Sequence, residues 1–314
     1  MPSFDVVNYS LRPSKSIQRQ IVFEAVRMLQ AKLDLERMAY VGFGSIWFSD
    51  FLLAHKNLGV ENLHSIEADD IGFVRAKYNA PFATVAVHHG ISNEILRELV
   101  ADDELRARPW MVWFDYDYAF DESVRDDVRM LIESAPINSV ILITFSGSEM
   151  KYGAAPDRPK RLQDLFGSLV PEDLAKRACK DERMQETLAD FGLDFMRTVA
   201  AETSRPGGFV PAFRLLYKDQ SPMVTVGGVL PAKGAAATAG DVVRGEQWPA
   251  KPSRPIVAPH LTIREASALQ ALLPCAERLS RADVQALGFD LANAQIESFQ
   301  DYYRHYPAFA QVLT

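Results

Sequence analysis

The most informative segment of the chain is residues 38–45, which read MAYVGFGS. Its first four residues form an apolar run typical of a buried strand, and the GFGS that follows predicts a tight turn. A helical pattern over 47–57 comes next, and a second short strand at 63–66 ends at the acidic Glu67. The segment therefore predicts a strand, a turn, a helix and a second strand with an acid at its end.

The same alternation continues along the chain. Helical patterns alternate with apolar runs, and three more strands are predicted at 83–87, 110–114 and 139–145. Nearly continuous apolar strands joined by helices are typical of a parallel sheet covered on both faces. Two further β-rich runs, 213–217 and 223–229, predict an antiparallel hairpin. The expected fold is α/β: a Rossmann-like, mostly parallel sheet with an antiparallel terminal hairpin, helices on both faces and a small helical C-terminal appendage.

These patterns divide the chain into four predicted regions. Residues 1–37 form an N-terminal helical segment, and residues 38–230 form the Rossmann-like domain. Residues 231–260 are rich in Ala, Gly and Pro and are interpreted as a linker. Residues 261–314 form the helical appendage, in which capping-box patterns at Thr262 and Ser280 predict helix starts. Aromatic residues near its end have helical spacing, which favours docking onto the rest of the protein over a base-stacking surface: Phe299, Tyr302, Tyr303, Tyr306 and Phe309.

Composition narrows the class of protein. The chain has 314 residues, 48% of them hydrophobic, and a formal net charge of -7. This is ordinary for a globular enzyme and argues against broad nucleic-acid binding, which needs a basic surface. Two widely spaced cysteines, Cys179 and Cys275, indicate a reducing compartment. The N-terminus has no signal pattern and no apolar run approaches the ~20 residues that span a bilayer, so we expect a cytoplasmic protein.

The turn and the acid together indicate a nucleoside site. In a parallel sheet, ligands lie across the carboxyl ends of the strands. Gly42 and Gly44 leave room for the backbone to approach a ligand, and Glu67 can accept hydrogen bonds from both ribose hydroxyls. A dinucleotide turn needs a third glycine, but Trp47 stands at that position. This favours S-adenosylmethionine, which has no phosphate. A nicotinamide-dependent oxidoreductase and a non-catalytic nucleotide-binding module remain the alternatives.

The order of these parts resembles the class I S-adenosylmethionine-dependent methyltransferases over residues 38–230. Residues 40–45, 65–67 and 302–307 are also similar to a bacterial O-methyltransferase family. The resemblance implies a methyltransferase in which an antiparallel seventh strand lies between the fifth and the sixth. It also implies a set of cofactor-binding residues: Gly42, Phe43, Gly44, Ser45, Glu67, His89, Gly90 and Asp115.

The sequence departs from that pattern at two places. An acidic residue commonly precedes the first glycine of the turn, but Tyr40 and Val41 stand there. An acidic residue is also usual at the adenine position after the third strand, where residues 90–92 are Gly-Ile-Ser. At both positions the sequence therefore lacks an acidic residue that commonly contacts the cofactor in the class it resembles.

Residues 115–118, Asp-Tyr-Asp-Tyr, follow the fourth predicted strand. A methyl acceptor must be positioned and often must lose a proton, and a carboxylate at this strand end can serve either need. Asp115 and Asp117 are therefore predicted to be catalytic, with helix capping as the alternative. Tyr116 and Tyr118 are predicted to bind the substrate.

Basic residues before the first strand are candidates for holding the acceptor. Arg12 and Lys15, together with Arg19, share one side of an early helix and can bind a phosphate or a carboxylate, with a solvated basic face as the alternative. No cluster of carboxylates typical of metal-dependent methyltransferases is recognisable, so no metal is expected. The expected acceptor is a small molecule or a nucleotide that is methylated on oxygen or nitrogen.

Overall fold

A computed structural model describes residues 12–307 of the chain except 34 and 36. Residues 1–11 of the predicted N-terminal segment, and Phe309 of the aromatic series, lie outside the described residues. Among the described residues, no helix combines the length and the apolar character that crossing a bilayer requires.

Seven strands form one sheet. Their order is β3-β2-β1-β4-β5-β7-β6, with parallel pairing from β3 to β5 and antiparallel pairing of β7 with both β5 and β6. The strand order confirms the predicted mostly parallel sheet, including the antiparallel seventh strand between the fifth and the sixth. The strands are β1 (Ala39–Gly42), β2 (Asn62–Glu67), β3 (Val85–His89), β4 (Trp110–Ala119), β5 (Ser139–Ser146), β6 (Val210–Lys218) and β7 (Pro222–Leu230).

Helices cover both faces of the sheet, because strands such as β5 are buried along their whole length and need apolar cover on each side. In chain order they are α1 (Pro13–Gln30), α2 (Ser49–Leu58), α3 (Asp70–Asn79), α4 (Ser92–Ala101), α5 (Asp103–Arg106), α6 (Glu122–Ser134), α7 (Arg158–Phe166), α8 (Asp181–Glu202), α9 (Ala236–Arg244), α10 (Ile263–Gln270), α11 (Arg281–Ala286) and α12 (Asn293–Tyr302). One hydrophobic core includes α1, α2, α9 and the last helices, and the other includes α4, α6 and α8.

The fourth strand is longer than predicted. The apolar run ends at Phe114, yet β4 continues to Ala119, with a shift of its register against β5 between Asp115 and Ala119. Asp115 therefore lies inside the strand and not at its end. The alternation of side chains along a strand then separates Asp115 from Tyr116, which point to opposite faces of the sheet.

The structure contradicts the interpretation of residues 231–260 as a linker, because this segment is folded and packs against the sheet. This region contains α9, and its Trp248 is buried, with its indole N–H donating to the carbonyl oxygen of Ala212 at 2.7 Å. Ile256 forms a parallel β-bridge with Tyr217 at the edge of the sheet. Small residues gave the segment a loop-like composition, but they allow its close packing on β6.

The C-terminal helices pack on the same core as α1. Both predicted capping boxes, at Thr262 and Ser280, are present. Phe299 and Tyr306 are buried in contact with one another, and the Tyr306 hydroxyl donates to the carbonyl oxygen of Pro259 at 2.8 Å. The appendage thus forms part of the continuous core on the α1 side of the sheet.

A distant carboxylate fixes the start of α1. Asp219, in the turn between β6 and β7, accepts hydrogen bonds from the backbone N–H groups of Ser14 and Lys15 at 2.9 and 3.0 Å. The Ser14 hydroxyl donates to the carbonyl oxygen of Lys218 and accepts from the N–H of Ala258. Because α1 lacks a side-chain cap of its own, Asp219 serves as its N-cap from more than 200 residues away along the chain. These bonds hold the first turn of α1 over the carboxyl edge of the sheet.

We expect Asp219→Ala to lower the free energy of unfolding by about 1–2 kcal/mol, the usual cost of removing a helix cap. The exposed Asp241, which pairs with Arg244 one turn later on α9, supplies the control Asp241→Ala, with an expected change under about 0.5 kcal/mol. Urea unfolding followed by circular dichroism measures both. Equal stabilities of the two variants would show that the cap does not anchor α1.

Candidate active site

A cavity of about 630 Å³ lies at the carboxyl edge of the sheet. Residues of four neighbouring strands and the turns after them line it: Glu67 at the end of β2, Gly44 and Gly90 just beyond β1 and β3, and Asp115 within the longer β4. The volume falls in the usual range of ligand pockets. Other lining residues come from α1 and the residue before it, from the turn before α2 and the start of α2, from the start of α4, from the end of β4, from α6 and from the β6–β7 hairpin: Arg12, Lys15, Arg19, Ser45, Trp47, Asp50, Ser92, Asn93, Tyr118, Asp127, Tyr217 and Met223.

The turn between β1 and α2 is tightly constrained. A Cβ on Gly44 would lie 2.5 Å from both the Phe48 ring and the Ser65 hydroxyl, so packing within the protein alone demands glycine there. Ser45 and Phe48 have left-handed backbone conformations, with φ of 51° and 49°. Because the backbone of Phe48 is not helical, α2 begins at Ser49. The Phe48 ring is buried, while Trp47 is 41% exposed at the cavity.

The two glycines of the predicted turn, Gly42 and Gly44, have different surroundings. Gly44 lines the cavity, whereas Gly42 lies deeper, where a Cβ would come within 3.0 Å of the Trp113 carbonyl oxygen. Phe43 and Ser45 line the cavity as expected of a cofactor turn. The Ser45 hydroxyl oxygen is buried and has no hydrogen-bond partner among the described residues.

Glu67 lies where β2 ends and is partly buried. One of its oxygens accepts from the backbone N–H of Asp69 at 3.1 Å. Burial raises the pKa of Glu67, an effect that this backbone hydrogen bond opposes. The carboxylate thus presents acceptor oxygens to the cavity, which is the chemistry that a ribose diol requires.

Of the neighbours His89 and Gly90, only Gly90 lies at the cavity. Gly90 lines the cavity, but the His89 ring stacks on Phe73 at 4.6 Å between ring centroids. Its Nε2 lies 3.1 Å from a carboxylate oxygen of the exposed Asp70. The structure therefore places His89 against α3 and does not bring it to the cavity lining.

Two buried ion pairs form one end of the cavity. The ammonium group of Lys15 contacts the carboxylate of Asp115, and these side chains are 6% and 12% exposed. The Arg19 Nε lies 2.5 Å from Asp50 Oδ1, with both side chains under 10% exposed. Burial lowers the pKa of Lys15 and raises that of Asp50, while the opposite charge beside each group acts in the other direction. Such pairs persist in a low-dielectric site only when each charge keeps its partner.

The sequence predicted only some of the residues at this end of the cavity. Lys15 and Asp115 were predicted to be at the site, but as a substrate-binding cation and a catalytic acid and not as partners. Asp50 and Tyr217 were missed. Asp50 follows the first residue of α2, a position where an acid ordinarily faces water and the helix dipole, and Tyr217 belongs to a hairpin that the strand pattern does not connect with α1. The Tyr217 hydroxyl is buried without a hydrogen-bond partner among the residues that the structure describes.

A second polar cluster lies on the opposite side of the cavity. Asp127 of α6 accepts hydrogen bonds on its Oδ2 from the Tyr116 hydroxyl at 2.7 Å and from the Ser92 hydroxyl. Burial raises the pKa of Asp127, and the two hydroxyl donors oppose that effect. The Tyr116 hydroxyl thus donates to Asp127 of α6. The prediction had Tyr116 contact the substrate instead.

The remaining predicted residues lie nearer the solvent. Asp117 and Tyr118 are exposed and line the cavity beyond Asp115. Arg12 also lines it, and its guanidinium lies 3.4 Å from the side-chain oxygen of Gln220 in the β6–β7 turn. Within the described ranges, no group of three or more His, Cys, Asp or Glu side chains is arranged to hold a metal ion.

Residues 7–314 match the sequence profile of the family described as "Putative O-methyltransferase". The chain belongs to this family. The match covers almost its whole length, so the C-terminal helices are included.

Solved structures give weaker likenesses. Trm1 from Pyrococcus horikoshii, in complex with S-adenosyl-L-methionine, is 13% identical with a TM-score of 0.49, over 76% of this chain and 61% of that one. An O-methyltransferase from Bacillus cereus in complex with SAH is 10% identical with a TM-score of 0.38, over 66% of this chain and 80% of that one. The chain thus spans less than two thirds of the length of the Pyrococcus protein. No curated protein matches the sequence of this family member significantly.

A double-mutant cycle tests the Lys15–Asp115 pair. We expect Lys15→Met to lower the free energy of unfolding by about 3–5 kcal/mol, because it leaves the Asp115 carboxylate buried without this cation. Asp115→Asn in the Lys15→Met background should recover at least half of that loss. Denaturant unfolding of the four proteins measures the coupling, and Arg254→Met, which removes an exposed ion pair with Glu297, is the control with an expected loss under about 1 kcal/mol. Additive losses in the cycle would contradict the coupling.

Proposed function

We propose that this family member binds S-adenosylmethionine in the cavity at the carboxyl edge of its sheet and transfers the methyl group to an oxygen or nitrogen of a small molecule or nucleotide. The observation that carries the proposal is the convergence of Gly44, Glu67, Gly90 and Asp115 on one cavity. Membership in an O-methyltransferase family agrees with it. The fold places the ends of parallel strands, where nucleoside ligands bind in α/β proteins, around a space of suitable size.

Glu67 holds the ribose in this proposal. Its oxygens are acceptors, the two ribose hydroxyls are donors, and the partial burial of Glu67 reduces the competition from water. Ser45 and Asn93 also line the cavity, and a hydroxyl and a side-chain amide are groups that can both donate and accept hydrogen bonds. The donor and acceptor groups of the cavity therefore fit a nucleoside with an amino acid attached.

The cofactor supplies an electrophilic methyl group, and the protein positions the acceptor and receives its proton. Asp117 is suited to that second task, because its carboxylate is exposed at the cavity. Asp115 is already in contact with Lys15, so its part is to position groups near the methyl donor. Tyr118 and Arg12 border the same opening and would contact the acceptor.

Isothermal titration calorimetry tests the cofactor. We expect wild-type protein to bind S-adenosylhomocysteine, and Glu67→Gln to weaken that binding by about 1.5–3 kcal/mol, the scale of hydrogen bonds to a charged group. Glu98→Gln, at an exposed position on α4, is the matched control and should bind as wild type does.

The same titration with NAD examines the oxidoreductase alternative. Binding of NAD, with no heat from S-adenosylhomocysteine, would contradict the proposal and favour a nicotinamide-dependent enzyme.

A further inference from the structure

The outward face of α3 carries a stripe of exposed apolar side chains. Ile71, Val74 and Tyr78 share one face of the helix and are 68%, 65% and 89% exposed. Gly72 and Ala76 are buried on the opposite face, so that side of the helix packs on the sheet. Single exposed apolar residues are common, but a contiguous apolar stripe on a helix is typical of a surface that contacts another protein.

The strand next to this helix is also exposed. Among the described strands, β3 is the outermost on this side of the sheet and pairs with β2 alone. None of the five residues of β3 is buried, in contrast to the fully buried β5 near the middle of the sheet. Helix α3 and strand β3 therefore form an exposed edge of the protein, and the apolar stripe of α3 lies on it.

The exposed charges beside the stripe differ in sign along the helix. Asp70 begins α3, and Lys77 lies two turns later on the same flank of the stripe. Both side chains are exposed, whereas Arg75 on the other flank is half-buried. One flank of the stripe is thus acidic at its first turn and basic near its last. This pattern is complementary to an identical helix that runs in the opposite direction.

We propose that this face of α3 binds a second copy of the chain, with the two α3 helices packed antiparallel about a two-fold axis near Val74. The Val74 side chains then meet at the axis, and Ile71 lies against Tyr78 of the partner subunit. Asp70 faces Lys77 of the partner subunit, because positions 70 and 77 lie at similar distances on either side of the axis. A parallel pair would instead bring like charges together, which disfavours that arrangement.

Sedimentation equilibrium of the full chain tests the association itself. We expect a species with twice the 35.1 kDa mass of one chain, in reversible equilibrium with the monomer at micromolar concentrations. Interfaces built around one helix and a strand edge are at the small end of the known range, so a weak dimer is expected. Wild-type protein that stays monomeric throughout the micromolar range would overturn the proposal.

Val74→Asp locates the interface on α3. It brings two carboxylates together at the proposed axis, so the variant should be monomeric at concentrations where the wild type is a dimer. Met150→Asp, at an apolar position that is 81% exposed elsewhere on the surface, is the matched control and should dimerise as the wild type does. Neither residue lines the cavity, so this test is independent of the proposed cofactor. Dimers of unchanged stability in Val74→Asp would contradict the proposal.

A charge exchange tests the antiparallel arrangement. Asp70→Lys and Lys77→Asp should each raise the dissociation constant of the dimer about tenfold or more, because like charges then face one another at both symmetry-related positions. The double variant restores opposite charges with their signs exchanged, so its dissociation constant should return to within about threefold of the wild-type value. Melting temperatures confirm that each variant is folded. Additive losses in the double variant would show that positions 70 and 77 do not pair across the interface and would overturn the arrangement.

Discussion

The buried contact between the Lys15 ammonium and the Asp115 carboxylate is the interaction on which the cavity depends. It joins the first helix of the described chain to the fourth strand of the sheet, and Arg19 with Asp50 forms a parallel connection to α2. Neither charge of a buried pair tolerates the loss of its partner, so the position of α1 over the sheet is tightly determined. The Asp219 cap reinforces that position from the β6–β7 turn. Together these contacts make α1 and the hairpin one wall of the cavity.

This arrangement gives the cavity two chemically different sides. Lys15, Arg19, Asp50 and Asp115 form a side where opposite charges balance, on the face of α1. Asp127, with its two hydroxyl donors, belongs to a side that carries hydrogen-bonding capacity and no ion pair among the contacts described. These two sides suit the two ends of the proposed cofactor, because S-adenosylmethionine has a charged amino-acid end and a neutral base. The alternation of β4 explains it, because successive residues of a strand face opposite sides of the sheet.

Local sequence patterns were sufficient to predict the sheet and the residues at its edge. Apolar runs of strand length located the strands, and Glu67 was recognised because it follows such a run directly. The same reasoning was less successful where a contact joins distant segments. Lys15 looked like part of a solvated or substrate-binding face, because its partner is 100 positions away and the capping residue of its helix is twice as far. His89 shows another limit, since its neighbour Gly90 lines the cavity while the histidine ring turns toward Phe73 on α3. The composition of 231–260 misled for a further reason: Ala, Gly and Pro also occur where a segment must pack closely, as it does around Trp248.

A crystal structure of the protein with S-adenosylhomocysteine tests the central claim most directly. We expect the ligand in the cavity at the carboxyl edge of the sheet, with its ribose hydroxyls within hydrogen-bond distance of Glu67 and the Lys15–Asp115 contact intact beside it. Density for the ligand elsewhere on the molecule, or a ribose turned away from Glu67, would contradict the account.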